Sequence, residues 1–155
     1  MAFSHVDKDG KATMVDVSHK TETERKATAT CKVALPPEVL ECAQESDIIG
    51  TKGPIFPTAR IAGIQAAKRT SELIPLCHPL PITSINIDIK LEGSHVLIEA
   101  TVKTVGKTGV EMEALTACSA TALCVYDMCK ALSHNIVIEE IRLLHKSGGK
   151  SEFNG

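Results

Sequence analysis

Between Ala114 and Leu132 the only charged side chains are Asp127 and Lys130, three residues apart in a stretch of small and apolar residues. On a helix that spacing puts a carboxylate and an ammonium on one face. Screened from water, each would shift the other's pKa, and the pair would supply base and acid to one substrate. Left open, it is a surface ion pair of about 0.2–0.5 kcal/mol. The segment LIPLCHPLPIT holds Cys77 and His78 between Pro75, Pro79 and Pro81, which stiffen the backbone and display an imidazole. Such a ring can bind a ligand or move a proton near neutral pH; a loop histidine satisfied by backbone or water is the plainer account. Glu111 and Glu113 flank Met112 where the same helix should begin. Carboxylates there suit the helix dipole, and they also match the adjacent N–H and amino donors of a guanine edge. Spacing does not choose between those roles.

For an anion the candidate partners are Arg25, Lys26, Lys52, Arg60, Lys68, Arg69, Lys107, Lys146 and Lys150, most of them expected to be solvated surface charges. Gly106-Lys107-Thr108 and Gly149-Lys150-Ser151 each resemble the end of a phosphate-binding P-loop. The required earlier glycine is Thr101 in one case and Leu144 in the other, which excludes a Walker-type nucleotidase. Cys77, His78, Cys118, Cys124 and Cys129 show no paired ligand spacing, so no metal is expected.

These groups need elements to position them. Ala27, Ala29, Cys31, Val33 and Leu35 alternate with Thr28, Thr30, Lys32 and Ala34, predicting a strand with one buried face that ends at Pro36 and Pro37. PEVLECAQES predicts a short helix with Pro in its first turn, closed by Gly50. After the loop KGPIFP, the run TARIAGIQAAKRTSEL predicts a second helix that stops at Pro75. Ile85, Ile87, Ile89 and Leu91, then Val96, Ile98, Ala100 and Val102 beyond the Glu-Gly-Ser turn, predict a hairpin. A long helix follows from about Met112 to Leu132, and IVIEEIRLL supplies a last strand. The order predicts an α+β fold, a ferredoxin-like split βαβ with a four-stranded antiparallel sheet and helices on one face. Leu97, Val137 and Ile141 leave apolar side chains for the other face. Ala114, Ala117, Ser119, Ala120 and Ala122 permit close approach of a neighbouring element to the long helix.

The 155 residues suit one domain, with about 1–24 and 147–155 expected to be flexible. With 43% hydrophobic residues and almost no aromatics, the core is aliphatic. A net charge of -2 gives no global field for nucleic acid or an anionic membrane. No signal-like or membrane-spanning run is found, and six cysteines without CxxC spacing point to reduced thiols in the cytoplasm.

Three long segments, MVDVSHK, KGPIFPTARIAGIQAAKRTSELIPLCHPLPIT and GKTGVEMEALTACSATALCVYDMCKA, closely resemble the cyclic pyranopterin monophosphate synthase family of molybdenum cofactor biosynthesis, over about Met14 to Lys150. The resemblance implies a ferredoxin-like fold and a homohexamer built as a trimer of dimers, with sites where subunits meet. It implies conversion of a cyclised GTP, made by a preceding radical enzyme, to cyclic pyranopterin monophosphate with release of pyrophosphate and without a cofactor. By the same resemblance Asp127, Lys130, Lys52 and Lys146 are catalytic, and Leu76, Cys77, His78, Glu111, Met112, Glu113 and Arg25 bind substrate. The alternatives are a non-catalytic purine-nucleotide-binding domain on the same plan and an assembly domain for the preceding enzyme.

Overall fold

A computed structural model describes residues 5–155. Residues 1–4, part of the stretch expected to be loose, lie outside the described residues. The chain runs β1 (Thr23–Ala34), α1 (Pro37–Leu40), β2 (Ala43–Gln44), β3 (Asp47–Gly50), β4 (Gly53–Pro54), α2 (Ile55–Lys68) and α3 (Thr70–Leu73). It continues through β5 (Ile82–Glu92), β6 (His95–Gly106), α4 (Glu111–Cys129), β7 (Val137–Ser147) and β8 (Phe153–Asn154).

The main sheet has the order β5-β6-β1-β7-β8 and is antiparallel throughout. Its four long strands, with α2 and α4 as the crossings, form the expected ferredoxin-like split βαβ, and the two-residue β8 extends the sheet to a fifth strand. Ala27, Ala29, Cys31 and Val33 of β1 and Val96, Ile98, Ala100 and Val102 of β6 alternate inward, beneath the buried Ala114, Ala117, Cys118, Ala122 and Val125 of α4. The period of two in the strands thus meets a helix whose small side chains let it lie close to the sheet. The small-residue stripe is used within the chain. A Cβ on Gly63 of α2 would lie 2.1 Å from Thr121 Oγ1 and 2.9 Å from the Ala117 carbonyl, so the two helices touch at a point where only hydrogen fits.

Two segments differ from their sequence reading: the second helix, expected to run on to Pro75, breaks at Arg69 into α2 and the single-turn α3, and the segment after Pro37 takes another course. The helix expected over PEVLECAQES is a single turn, α1, and the chain then forms a three-stranded hairpin sheet, β2-β3-β4. The cause lies at Asp47, whose Oδ1 accepts from the backbone N–H groups of Ile48 at 2.7 Å, Ile55 at 3.2 Å and Phe56 at 2.9 Å. A carboxylate in that role caps α2 from across the hairpin, and it starts that helix at Ile55 inside the expected loop rather than at Thr58. On the sheet's outer side Val137 and Ile141 are exposed and Leu97 is half-buried. A bulge in β7 sets Glu140 and Ile141 opposite Cys31 alone, with Glu140 at φ 47° and its carboxylate 2.9 Å from Lys32 Nζ.

Candidate functional site

The residues singled out by sequence gather at the two ends of α4. At the C-terminal end, Asp127 Oδ1 lies 2.6 Å from Lys130 Nζ, and Asp127 Oδ2 lies 3.9 Å from Lys52 Nζ. Lys52 arrives there because the β3–β4 turn, built on Gly50 and Gly53, packs against the end of the helix: a Cβ on Gly50 would sit 3.5 Å from the Met128 carbonyl. The Lys130 ammonium, through its hydrogen bond and then its charge, with Lys52 adding less, holds the Asp127 carboxyl below the usual carboxylate range. Asp127 in turn raises Lys130. Near neutral pH both groups are therefore held charged, and because both shifts move away from neutrality, each is a weaker base or acid within one chain than its free counterpart. Within one chain these side chains remain open to water, with 55% of Asp127 and 48% of Lys130 accessible.

At the N-terminal end two adjoining cavities share Gly109 and Glu111. The smaller, about 90 Å³, is lined by Arg25, Lys26, Lys146 and Lys150 with Ser147, Gly149 and Ser151, so four cations surround the single carboxylate of Glu111. Glu111 Oε1 is 3.2 Å from Lys146 Nζ, and its other oxygen occupies the space that a Cβ on Gly109 would take. The turn that brings Lys150 here requires glycine: Gly148 has φ +83°, and a Cβ on it would fall 1.8 Å from the Glu24 carbonyl oxygen. Arg25 Nε is buried without a hydrogen-bond partner among the described residues. The chemistry of this cavity suits an anion with several oxygens.

The larger cavity, about 300 Å³, is lined by Leu76, Cys77, His78, Met112 and Glu113 among others, with His5 at its margin. Leu76 to His78 come from the proline-bounded loop between α3 and β5, which Thr104 Oγ1 fastens by donating to the Pro81 carbonyl at 2.7 Å. Glu113 is only 4% exposed. Burial pushes its carboxyl up to about 7, opposed by a hydrogen bond from its own backbone N–H and reinforced by the charge of Glu111. Burial and then Glu113 push the Cys77 thiol up as well, which keeps it protonated and unsuited to nucleophilic attack.

All eleven sequence candidates therefore fall into two groups. Asp127, Lys130 and Lys52 form one; Arg25, Lys146, Leu76, Cys77, His78, Glu111, Met112 and Glu113 form the other. Glu111 opens α4 and Asp127 lies near its far end, about 24 Å along the axis at a rise of about 1.5 Å per residue, so one chain does not bring the groups together. Lys26 and Lys150 line the basic cavity but are only two of the nine cations named as candidate anion partners, with no local signal to rank them. Among the described residues no helix is long and apolar enough to cross a membrane. Compared with protein families, the chain is matched over residues 14–149 by the model described as MoaC family.

Proposed function

The chain belongs to the MoaC family, and with it to molybdenum cofactor biosynthesis, and we propose that it converts a cyclised GTP to cyclic pyranopterin monophosphate with release of pyrophosphate. The observation that carries the reading is the pair of cavities sharing Glu111: a pocket of four cations beside a pocket with a buried carboxyl group. The first fits a triphosphate. The second offers hydrogen-bonding groups for the edge of a guanine-derived ring. Arg25, Lys146, Lys26 and Lys150 would neutralise the triphosphate and stabilise the charge that gathers on pyrophosphate as a substrate hydroxyl closes on the α-phosphorus.

Opening and reclosing rings also requires protons to be moved, and Asp127 and Lys130 carry the opposite charges that such steps need. Asp127 takes protons, Lys130 returns them, and Lys52 supplies a second ammonium to the same carboxylate. Since these groups lie at the far end of α4 from the cavities, the reading includes a shared site in which one subunit's Asp127 end meets another's Glu111 end. A homohexamer arranged as a trimer of dimers would provide such meetings, and the exposed Val137 and Ile141 are apolar surface available to contacts between copies. The six cysteine thiols are free, which suits a reducing, cytoplasmic setting downstream of a radical enzyme that forms the cyclised GTP.

The test is anaerobic incubation of the purified chain with the cyclised GTP, following pyrophosphate and product mass. Turnover is expected, and Asp127→Asn should lower it by about 100-fold or more, the scale of general acid–base catalysis. Undiminished turnover in that variant would remove Asp127 from the chemistry. Tight binding without turnover by the unaltered protein would leave a nucleotide-binding domain instead.

A further inference from the structure

His78 is held from outside its own loop. Its Nε2 lies 2.8 Å from the backbone carbonyl oxygen of Val15. A carbonyl can only accept, so Nε2 carries the hydrogen, and in the neutral ring Nδ1 is the bare nitrogen. The segment that provides this carbonyl is itself fixed at two points. Asp16 Oδ1 accepts from the Ser18 backbone N–H at 2.8 Å and from the Ser18 hydroxyl, closing a tight turn directly after Val15. Lys107 Nζ, from the turn after β6, donates to the Ser18 carbonyl at 3.0 Å. Val17 and Glu22 then line a further cavity with His78, Pro79 and Lys107, so the segment lies alongside the His78 loop over several residues.

We infer that Val15 to Ser18, anchored by Lys107, is a positioning element for His78: its Val15 carbonyl locks the ring with hydrogen on Nε2 and leaves Nδ1 as the acceptor offered to a ligand in the cavity with Glu113. Fixing the tautomer decides whether that face of the cavity accepts or donates, and so which edge of a heterocycle it takes. Neither Asp16 nor Lys107 lines the cavity that holds Glu113, and the segment they fix is bonded to that cavity's lining at His78. The consequence for catalysis rests on the cavity being the substrate pocket; the tautomer itself does not.

The experiment uses the full chain with ¹⁵N-labelled histidine, reading the two ring nitrogens of His78 by long-range NMR, beside kcat/KM on the cyclised GTP. Unaltered protein should show the single Nε2–H form. Asp16→Ala and Lys107→Met should shift His78 toward the mixture of a free imidazole and lower kcat/KM about tenfold, the scale of one lost hydrogen bond, while Lys107→Arg retains both properties. An Nδ1–H tautomer in the unaltered protein, or unchanged ring signals in both loosened variants, would overturn the inference. If the ring responds as expected but no turnover of cyclised GTP occurs in any form, the positioning role stands and the reading of the reaction falls.

Discussion

Glu113 couples the site to pH through its burial. An ordinary glutamate in the unfolded chain ionises from about 4.5, whereas the folded carboxyl holds its proton to about 7. Because the folded value is the higher, this group's contribution to stability is fully present below about 4.5 and is lost as pH rises through about 7. The loss is on the order of 3 kcal/mol, at about 1.36 kcal/mol per pKa unit. Denaturant unfolding at pH 5 and pH 8 should show that slope, and Glu113→Gln should flatten it; an unchanged slope would mean that the carboxyl is hydrated. The residue types at this end were legible in the sequence, since two glutamates at a helix start stand out. Which of them is buried was not. That depends on tertiary packing: Glu113 is covered by the folded chain, while Gly109 leaves room for Glu111 to turn back toward Lys146.

At the scale of elements, the strands and the two long helices follow from periodicity because each has one face committed to a common core. The region from Pro37 to Pro54 resisted that reading: its apolar residues are few, and its course is set by one side chain meeting backbone far along the chain. Asp47 bonds Ile55 and Phe56 across the hairpin, and the same turn delivers Lys52 to Asp127. Asp47→Ala should therefore cost about 1–2 kcal/mol in thermal or denaturant unfolding, the range for loss of a helix cap. It should also lower turnover more than Glu45→Ala, a substitution in the preceding exposed turn. Equal activity in the two variants would show that Lys52 reaches its position without the Asp47 bonds.

For the whole molecule, the decisive fact is that α4 separates the two groups of site residues by its own length. A rigid helix cannot fold its ends together, and on the shared-site reading proposed above a substrate needing both is met by two copies of the chain. That geometry dictates which variants can complement. Asp127→Asn and Lys52→Ala both damage the same end, so every shared site in their mixture carries one lesion or the other and no activity should return. Asp127→Asn and His78→Ala damage opposite ends. After dissociation and random reassembly in equal amounts, about one site in four receives an intact end from each variant, and about a quarter of the unaltered activity should return. Absence of rescue at every mixing ratio, with the assembled size preserved, would place both ends of the reaction within one subunit and require α4 to be bridged by movement of the chain around it.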